Sequence, residues 1–254
     1  MKVALMRPED RLGPSADFCR ASGLDAVPAP AIQVTEIEID RQGILDAAKS
    51  SDVCVFMSAA AVDFVMKYRD LATALKSGEG LSMIAVGKAT SDRLSRHSVR
   101  CTLPDRYTSE GLVEYISAME LPEKSVMVFR SDRGTDTLRT GLSGRGISVA
   151  EFAVYGIRLP RDTSALKSVV TDILNGEGYI LPFSSGMMVR HFFTIAAELA
   201  DSDAVLQSLK TCRVWAIGTE TAKELERHGV TEINVPGIVD FEAMLLEIAA
   251  SLKD

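Results

Sequence analysis

The feature that most constrains this chain is an internal repeat. Val214-Trp215-Ala216-Ile217-Gly218-Thr219-Glu220-Thr221-Ala222-Lys223-Glu224-Leu225 reads as a strand feeding a helix, and Ile84-Ala85-Val86-Gly87-Lys88-Ala89-Thr90 repeats it. Gly87 matches Gly218, Thr90 matches Thr221, Leu94 matches Leu225, and Arg96-His97 matches Arg227-His228. One offset held over a whole strand, turn and helix signals duplication. Each short apolar run suits a strand buried on both faces, the glycine breaks it, and Thr219 or Thr221 is expected to cap the helix that follows. Unsatisfied backbone N–H groups and partial positive charge at such a helix start suit an anion.

The other half of the repeat begins at Val3–Met6, a short strand ended by Arg7-Pro8, with a helix expected over Ser15–Ala21 up to Gly23 and a strand over Ala26–Val34. The segment Ser125–Arg158 copies this unit: Met6 matches Phe129, Arg7 matches Arg130, Gly23 matches Gly146, and Ile32 falls opposite Tyr155. Between the copies, Val53-Cys54-Val55-Phe56-Met57-Ser58 pairs with Tyr179-Ile180-Leu181-Pro182-Phe183-Ser184-Ser185-Gly186, two buried strands ending in serine before a helix. Each Gly–Thr turn is expected to lead on to a short strand, Arg100–Leu103 or Glu232–Val235. Alternating strands and helices predict an α/β fold with parallel sheets. Turns at the carboxyl ends of parallel strands line up along one edge, where open α/β sheets bind ligands.

With 254 residues the chain is long enough for two domains, and the duplication favours two. A formal net charge of -7 argues against nonspecific nucleic-acid binding, which needs a basic face. Cys19, Cys54, Cys101 and Cys212 have no C-x-x-C spacing and read as small buried hydrophobes. No signal-peptide pattern and no membrane-spanning run is found, so a cytoplasmic protein is expected. Three dispersed histidines, His97, His191 and His228, make no metal site. Ser131-Asp132-Arg133-Gly134 lacks the glycine pattern of a nucleotide loop.

The order and spacing of Leu5-Met6-Arg7-Pro8, Phe56-Met57-Ser58 with Phe183-Ser184-Ser185, Val86-Gly87-Lys88-Ala89-Thr90 with Ile217-Gly218-Thr219-Glu220-Thr221-Ala222, and Val154-Tyr155 resemble the uroporphyrinogen-III synthase family over nearly the whole chain. Ser91 stands where the second copy has Ala222, and Ser58-Ala59-Ala60-Ala61 lacks an asparagine common in the family. The resemblance implies two flavodoxin-like domains built from the duplicated unit and joined by a two-strand linker. In this sequence they would be residues 1–33 with 158–254, and 38–154, with linkers at about 32–37 and 155–159. It implies a monomer, hydroxymethylbilane as substrate, no metal or organic cofactor, and transient contact with hydroxymethylbilane synthase.

The implied reaction expels the terminal hydroxyl of a linear tetrapyrrole and closes the ring through a spiro intermediate, so that ring D is inverted. Catalysis by positioning and charge stabilisation is expected. Tyr155 is the candidate proton donor, since a phenol with a pKa of about 10 is protonated at neutral pH; the alternative is a tyrosine packed on its domain. Ser58, Ser184, Ser185, Thr90, Thr219 and Thr221, with Gly87, Gly186, Gly218 and Ser131, are candidate carboxylate contacts through hydroxyls and backbone N–H groups; helix capping is the alternative for the hydroxyl residues. Arg7, Arg130, Arg133, Lys88 and Arg190 are the candidate cations; a solvated surface charge is the alternative, weighing equally for Lys88 and favoured for Arg190. A clamp that closes on a small anion without chemistry would share this pattern, but gives no reason for a phenol at Tyr155 where the first copy has Ile32.

Overall fold

The computed structural model describes residues 1–78 and 80–252; Glu79, Lys253 and Asp254, the last two inside the expected 158–254 range, lie outside the described residues. The chain divides into two compact units, Met1–Gln33 with Arg158–Asp254, and Val34–Ile157. In chain order, β1 (Lys2–Leu5), α1 (Glu9–Ala21) and β2 (Ala26–Pro28) open the first unit. The helix starts six residues earlier than expected, directly after Pro8, and contains Pro14. The fixed backbone of Pro8 suits a helix start, and Arg11 N–H reaches its carbonyl at 2.8 Å.

The single strand expected over Ala26–Val34 is also corrected. It is split into β2, which pairs with β1, and β3 (Gln33–Thr35), which lies at the edge of a different sheet. Pro28 and Pro30 remove the N–H groups a continuous ladder would need, while Ala29 and Ala31 still donate to the carbonyls of Leu5 and Met6.

The second unit continues with α2 (Arg41–Ser50), β4 (Val53–Phe56), α3 (Ala59–Met66), α4 (Arg69–Ser77), β5 (Ser82–Ala85), α5 (Lys88–Arg96), α6 (Ser109–Ser117), β6 (Ser125–Ser131), α7 (Thr137–Ser143) and β7 (Ser148–Arg158). Its five-stranded sheet has the order β3-β7-β6-β4-β5, and β4 pairs in parallel with β5 and β6, as β6 does with β7. Segments 32–37 and 155–159, expected as linkers, thus contribute β3 and the end of β7 to this sheet. The pleat sends Cys54 and Phe56 into a core with Ile44, Val62 and Leu94, and sends Val53 and Val55 into another with Leu112, Ile116 and Leu142. This two-faced burial is why β4 reads as an unbroken apolar run.

The first unit resumes with α8 (Ser164–Leu174), β8 (Tyr179–Phe183), α9 (Gly186–Ala197), α10 (Ser202–Leu209), β9 (Arg213–Ala216), α11 (Thr219–Arg227) and α12 (Phe241–Ser251). Its parallel sheet has the order β2-β1-β8-β9. Val3, Leu5, Ile180 and Trp215 pack on one face against Cys19, Phe241, Met244 and Leu245, while Phe183 meets Phe192 edge to face with centroids 5.5 Å apart. The strands expected over Arg100–Leu103 and Glu232–Val235 shrink to single bridges, Ile84 with Thr102 and Trp215 with Asn234. Pro104 and Pro236 stand two residues beyond each bridge and limit its extension. Among the described residues no helix is long and apolar enough to cross a membrane.

Candidate functional site

In each unit the candidate residues gather at the carboxyl ends of parallel strands. In the second unit, β4 runs out at Phe56 and Ser58 caps α3, its hydroxyl accepting the Ala61 N–H at 3.1 Å. The first unit repeats the arrangement: Ser185 caps α9 and accepts the Met188 N–H at 3.3 Å. Ser184 precedes the cap and is half-buried, and Gly186 is the first helical residue. The capping role expected for Thr219 or Thr221 is not found. Gly218 is the N-cap of α11 and Gly87 that of α5, both extended and without a side-chain cap bond. Thr90 and Thr221 lie one turn inside their helices and are buried; Lys88 and Thr219 are first helical residues and exposed. Both glycine turns therefore leave backbone donors uncapped by any side chain of their own N-cap residue.

Tyr155 is held at the end of β7. The register of β6 against β7 shifts between Arg130 and Ser131, so that Arg130 faces Ala153 but Ser131 faces Tyr155. This bulge re-aims the phenol, as bulges beside functional sites often do. The Tyr155 hydroxyl lies 2.9 Å from Ser58 Oγ, and its ring stacks on Phe64 with centroids 5.6 Å apart. Burial pushes the phenol above its usual value of 10.0, opposed in part by hydrogen bonds with Ser58 and Ser131. It is therefore protonated at neutral pH. Ser58 already accepts from Ala61; where it also donates to the phenol oxygen, the Tyr155 proton is available to a third group.

Beside Tyr155 lies a cavity of about 230 Å³ lined by Met57, Arg130, Ser131, Leu138 and Glu151 among others. Arg130, a candidate for substrate carboxylates, is already engaged within the chain. Its guanidinium pairs with Glu151 at 2.7 Å and donates to the carbonyls of Thr135 at 3.0 Å and Ser131 at 3.3 Å. Arg139 also approaches Glu151, at 3.5 Å. Arg130 thus fastens the turn after β6, with Gly134 so close that an added Cβ would lie 2.6 Å from its Nε. Arg7, at the end of β1, donates to Ser15 Oγ at 3.1 Å and lies 4.1 Å from the Phe241 ring centroid. Burial lowers its pKa, with nearby Arg11 adding to the effect.

Arg190 is exposed, as expected of a surface charge, but it is also paired. It grips Glu224 in a bidentate pair at 2.8 and 3.1 Å, and Arg227 donates to the same carboxylate at 2.8 Å. The Arg190 hydrogen bond, the largest cause, helps pull Glu224 down to about 2. Single-residue reading missed Glu224 because it looks like one more charge on a polar helix face. Among the described residues no group of three or more His, Cys, Asp or Glu side chains could hold a metal ion.

A family model described as uroporphyrinogen-III synthase HemD matches residues 15–245. The chain belongs to the uroporphyrinogen-III synthase family. Among family proteins, the uroporphyrinogen-III synthase of Chlorobaculum parvum is 26% identical over 260 residues, covering 100% of both chains. A crystal structure of a mutant uroporphyrinogen III synthase from Thermus thermophilus shares the fold with a TM-score of 0.69 at 18% identity, covering 100% of this chain and 99% of that one. The Helicobacter pylori uroporphyrinogen-III synthetase gives 0.64 at 16%, covering 99% and 100%. The α/β fold with parallel sheets is that of the uroporphyrinogen-III synthase structures.

Proposed function

We propose that this chain converts hydroxymethylbilane to uroporphyrinogen III, closing the ring with inversion of ring D and loss of water. The observation that carries the reading is the family match over residues 15–245, and the placement of Tyr155 beside Ser58 at a strand-end edge supports it. Tyr155 donates its proton, or a strong hydrogen bond, to the departing hydroxyl, and Ser58 orients the phenol for that role. The substrate carboxylates are received by backbone N–H groups at the Ser58, Gly87, Ser185 and Gly218 turns, with Lys88, Thr219, Ser184 and Gly186 at their rims. Arg7 adds positive charge to the edge of the first unit; Arg130 acts only by holding the turn that carries Ser131.

Expulsion of a hydroxyl by proton transfer, followed by closure of a held conformer, balances without a redox partner. Each step is assigned to side chains and backbone donors and calls on no metal or organic cofactor, and most of the rate derives from holding the reacting ends in place. Incubation of the purified chain with freshly generated hydroxymethylbilane, followed by oxidation and chromatography of the isomers, tests the reading. Mainly the type III isomer is expected without additives. Only the type I isomer at the rate of buffer alone, or binding without conversion, would overturn it.

A further inference from the structure

Two ion pairs occupy matching places in the two units with their signs exchanged. The fifth residue after each capping serine is Asp63 after Ser58 and Arg190 after Ser185. The sixth after each turn glycine is Arg93 after Gly87 and Glu224 after Gly218. In the second unit the Arg93 guanidinium donates to Asp63 and ties α5 to α3; in the first, Arg190 of α9 donates to Glu224 of α11. The surroundings are shared too, since Arg96-His97 follows Arg93 as Arg227-His228 follows Glu224. In the first unit those two residues join the pair, Arg227 at 2.8 Å and His228 Nε2 at 3.8 Å from the Glu224 carboxylate. The first-unit contact is close, since a Cβ on Gly186 would lie 3.5 Å from Glu224 Cβ.

A charge that served a polyanionic substrate in both copies would be positive in both. Here each position is acidic in one copy and basic in the other, so what the copies share is the attraction between the positions and not the charge at either. We propose that Asp63–Arg93 and Arg190–Glu224 are positioning pairs, each clasping the helix that follows a serine turn to the helix that follows a glycine turn and so setting the spacing of the backbone donors that receive substrate carboxylates. The proposal rests on the substrate assignment above. Neither pair touches the reacting atoms. Their role belongs to binding: a clasp that loosens widens the gap between two donor groups and weakens capture of the anion without altering the Tyr155 proton.

The test uses the full chain and the second unit, where exchange of signs builds the first unit's arrangement. Asp63→Arg with Arg93→Glu places an acidic residue ahead of Arg96-His97, as Glu224 stands ahead of Arg227-His228. For Asp63→Arg or Arg93→Glu alone, KM for hydroxymethylbilane should rise about fivefold, with kcat within about twofold of the parent. The double variant should return KM to within about twofold. A role in stability alone would lower Tm in the single variants and restore it in the double while KM stayed constant, which would overturn the proposal. So would a double variant with restored Tm and the raised KM of the singles. If a single reversal does not fold, Arg93→Gln replaces it, with about a threefold rise in KM expected and none overturning the clasp. Affinity for uroporphyrin III, an octacarboxylate probe, is measured in parallel. A parent chain that makes no type III isomer overturns the functional reading, and the clasp is then judged on probe affinity: the same pattern supports it, and equal affinity in all variants overturns it.

Discussion

At the scale of single residues, the phenol of Tyr155 is placed by three things: the register shift after Arg130, the stack on Phe64 and the hydrogen bond with Ser58. Tyr155→Phe keeps the ring and its packing but removes the donor. Turnover should fall several-fold to about a hundredfold, the lower end of what a general acid contributes, with Tm and KM nearly unchanged. Steady-state kinetics with isomer analysis checks this, and equal turnover would return Tyr155 to a packing role. Because burial raises the phenol above 10.0, the proton it supplies is retained throughout the neutral and mildly alkaline range. A pH–rate profile should therefore show no loss attributable to Tyr155 until the pH passes about 10. That limb should be absent from Tyr155→Phe.

At the scale of elements, two serine caps with the same local geometry should separate structure from chemistry. Ser58→Ala and Ser185→Ala each remove one side-chain acceptor from a helix start and should each cost about 1 kcal/mol of stability. Only Ser58 also meets Tyr155, so only Ser58→Ala should lower kcat in addition; denaturant melts and kinetics on the pair would show the split. The helix pair α9 and α11 carries its own pH signature. Glu224 is depressed from 4.5 to about 2, the Arg190 hydrogen bond being the largest cause. Its contribution is complete above the unfolded value and is lost as pH falls towards 2. Acid titration of stability from pH 5 to pH 2 should be steeper in the parent than in Glu224→Gln, and superimposable curves would refute this.

At the scale of the whole molecule, the continuous unit Val34–Ile157 contains a five-stranded sheet with a buried core on each face. Two covered faces are what an independent α/β layer needs, so a fragment spanning residues 34–157 should fold and unfold cooperatively by itself. Circular dichroism with thermal melting checks this; a fragment with no cooperative transition would show that its core depends on the rest of the chain. The first unit is assembled from both ends of the sequence, with β1 lying between β2 and β8. Removal of the N-terminal segment should therefore unfold it, because β8 would lose its β1 partner and the Val3 and Leu5 side chains would leave the core beneath Phe241.

The alternation of strands and helices, the parallel α/β class and the paired serine and glycine turns were legible in the sequence. Each is local: side-chain period, turn chemistry and a fixed repeat offset survive in one dimension. The fate of charges was not. Arg7 and Arg130 match in the repeat, yet one lies on Phe241 and the other is neutralised by Glu151, because the neighbours come from different elements. The ion pair of exposed Arg190 was hidden for the same reason, its partner Glu224 being on another helix. Splitting Ala26–Val34 between two sheets needed the strand order, and the aim of Tyr155 needed the register shift between β6 and β7. Those outcomes depend on which distant segments become neighbours, and only the folded chain decides that.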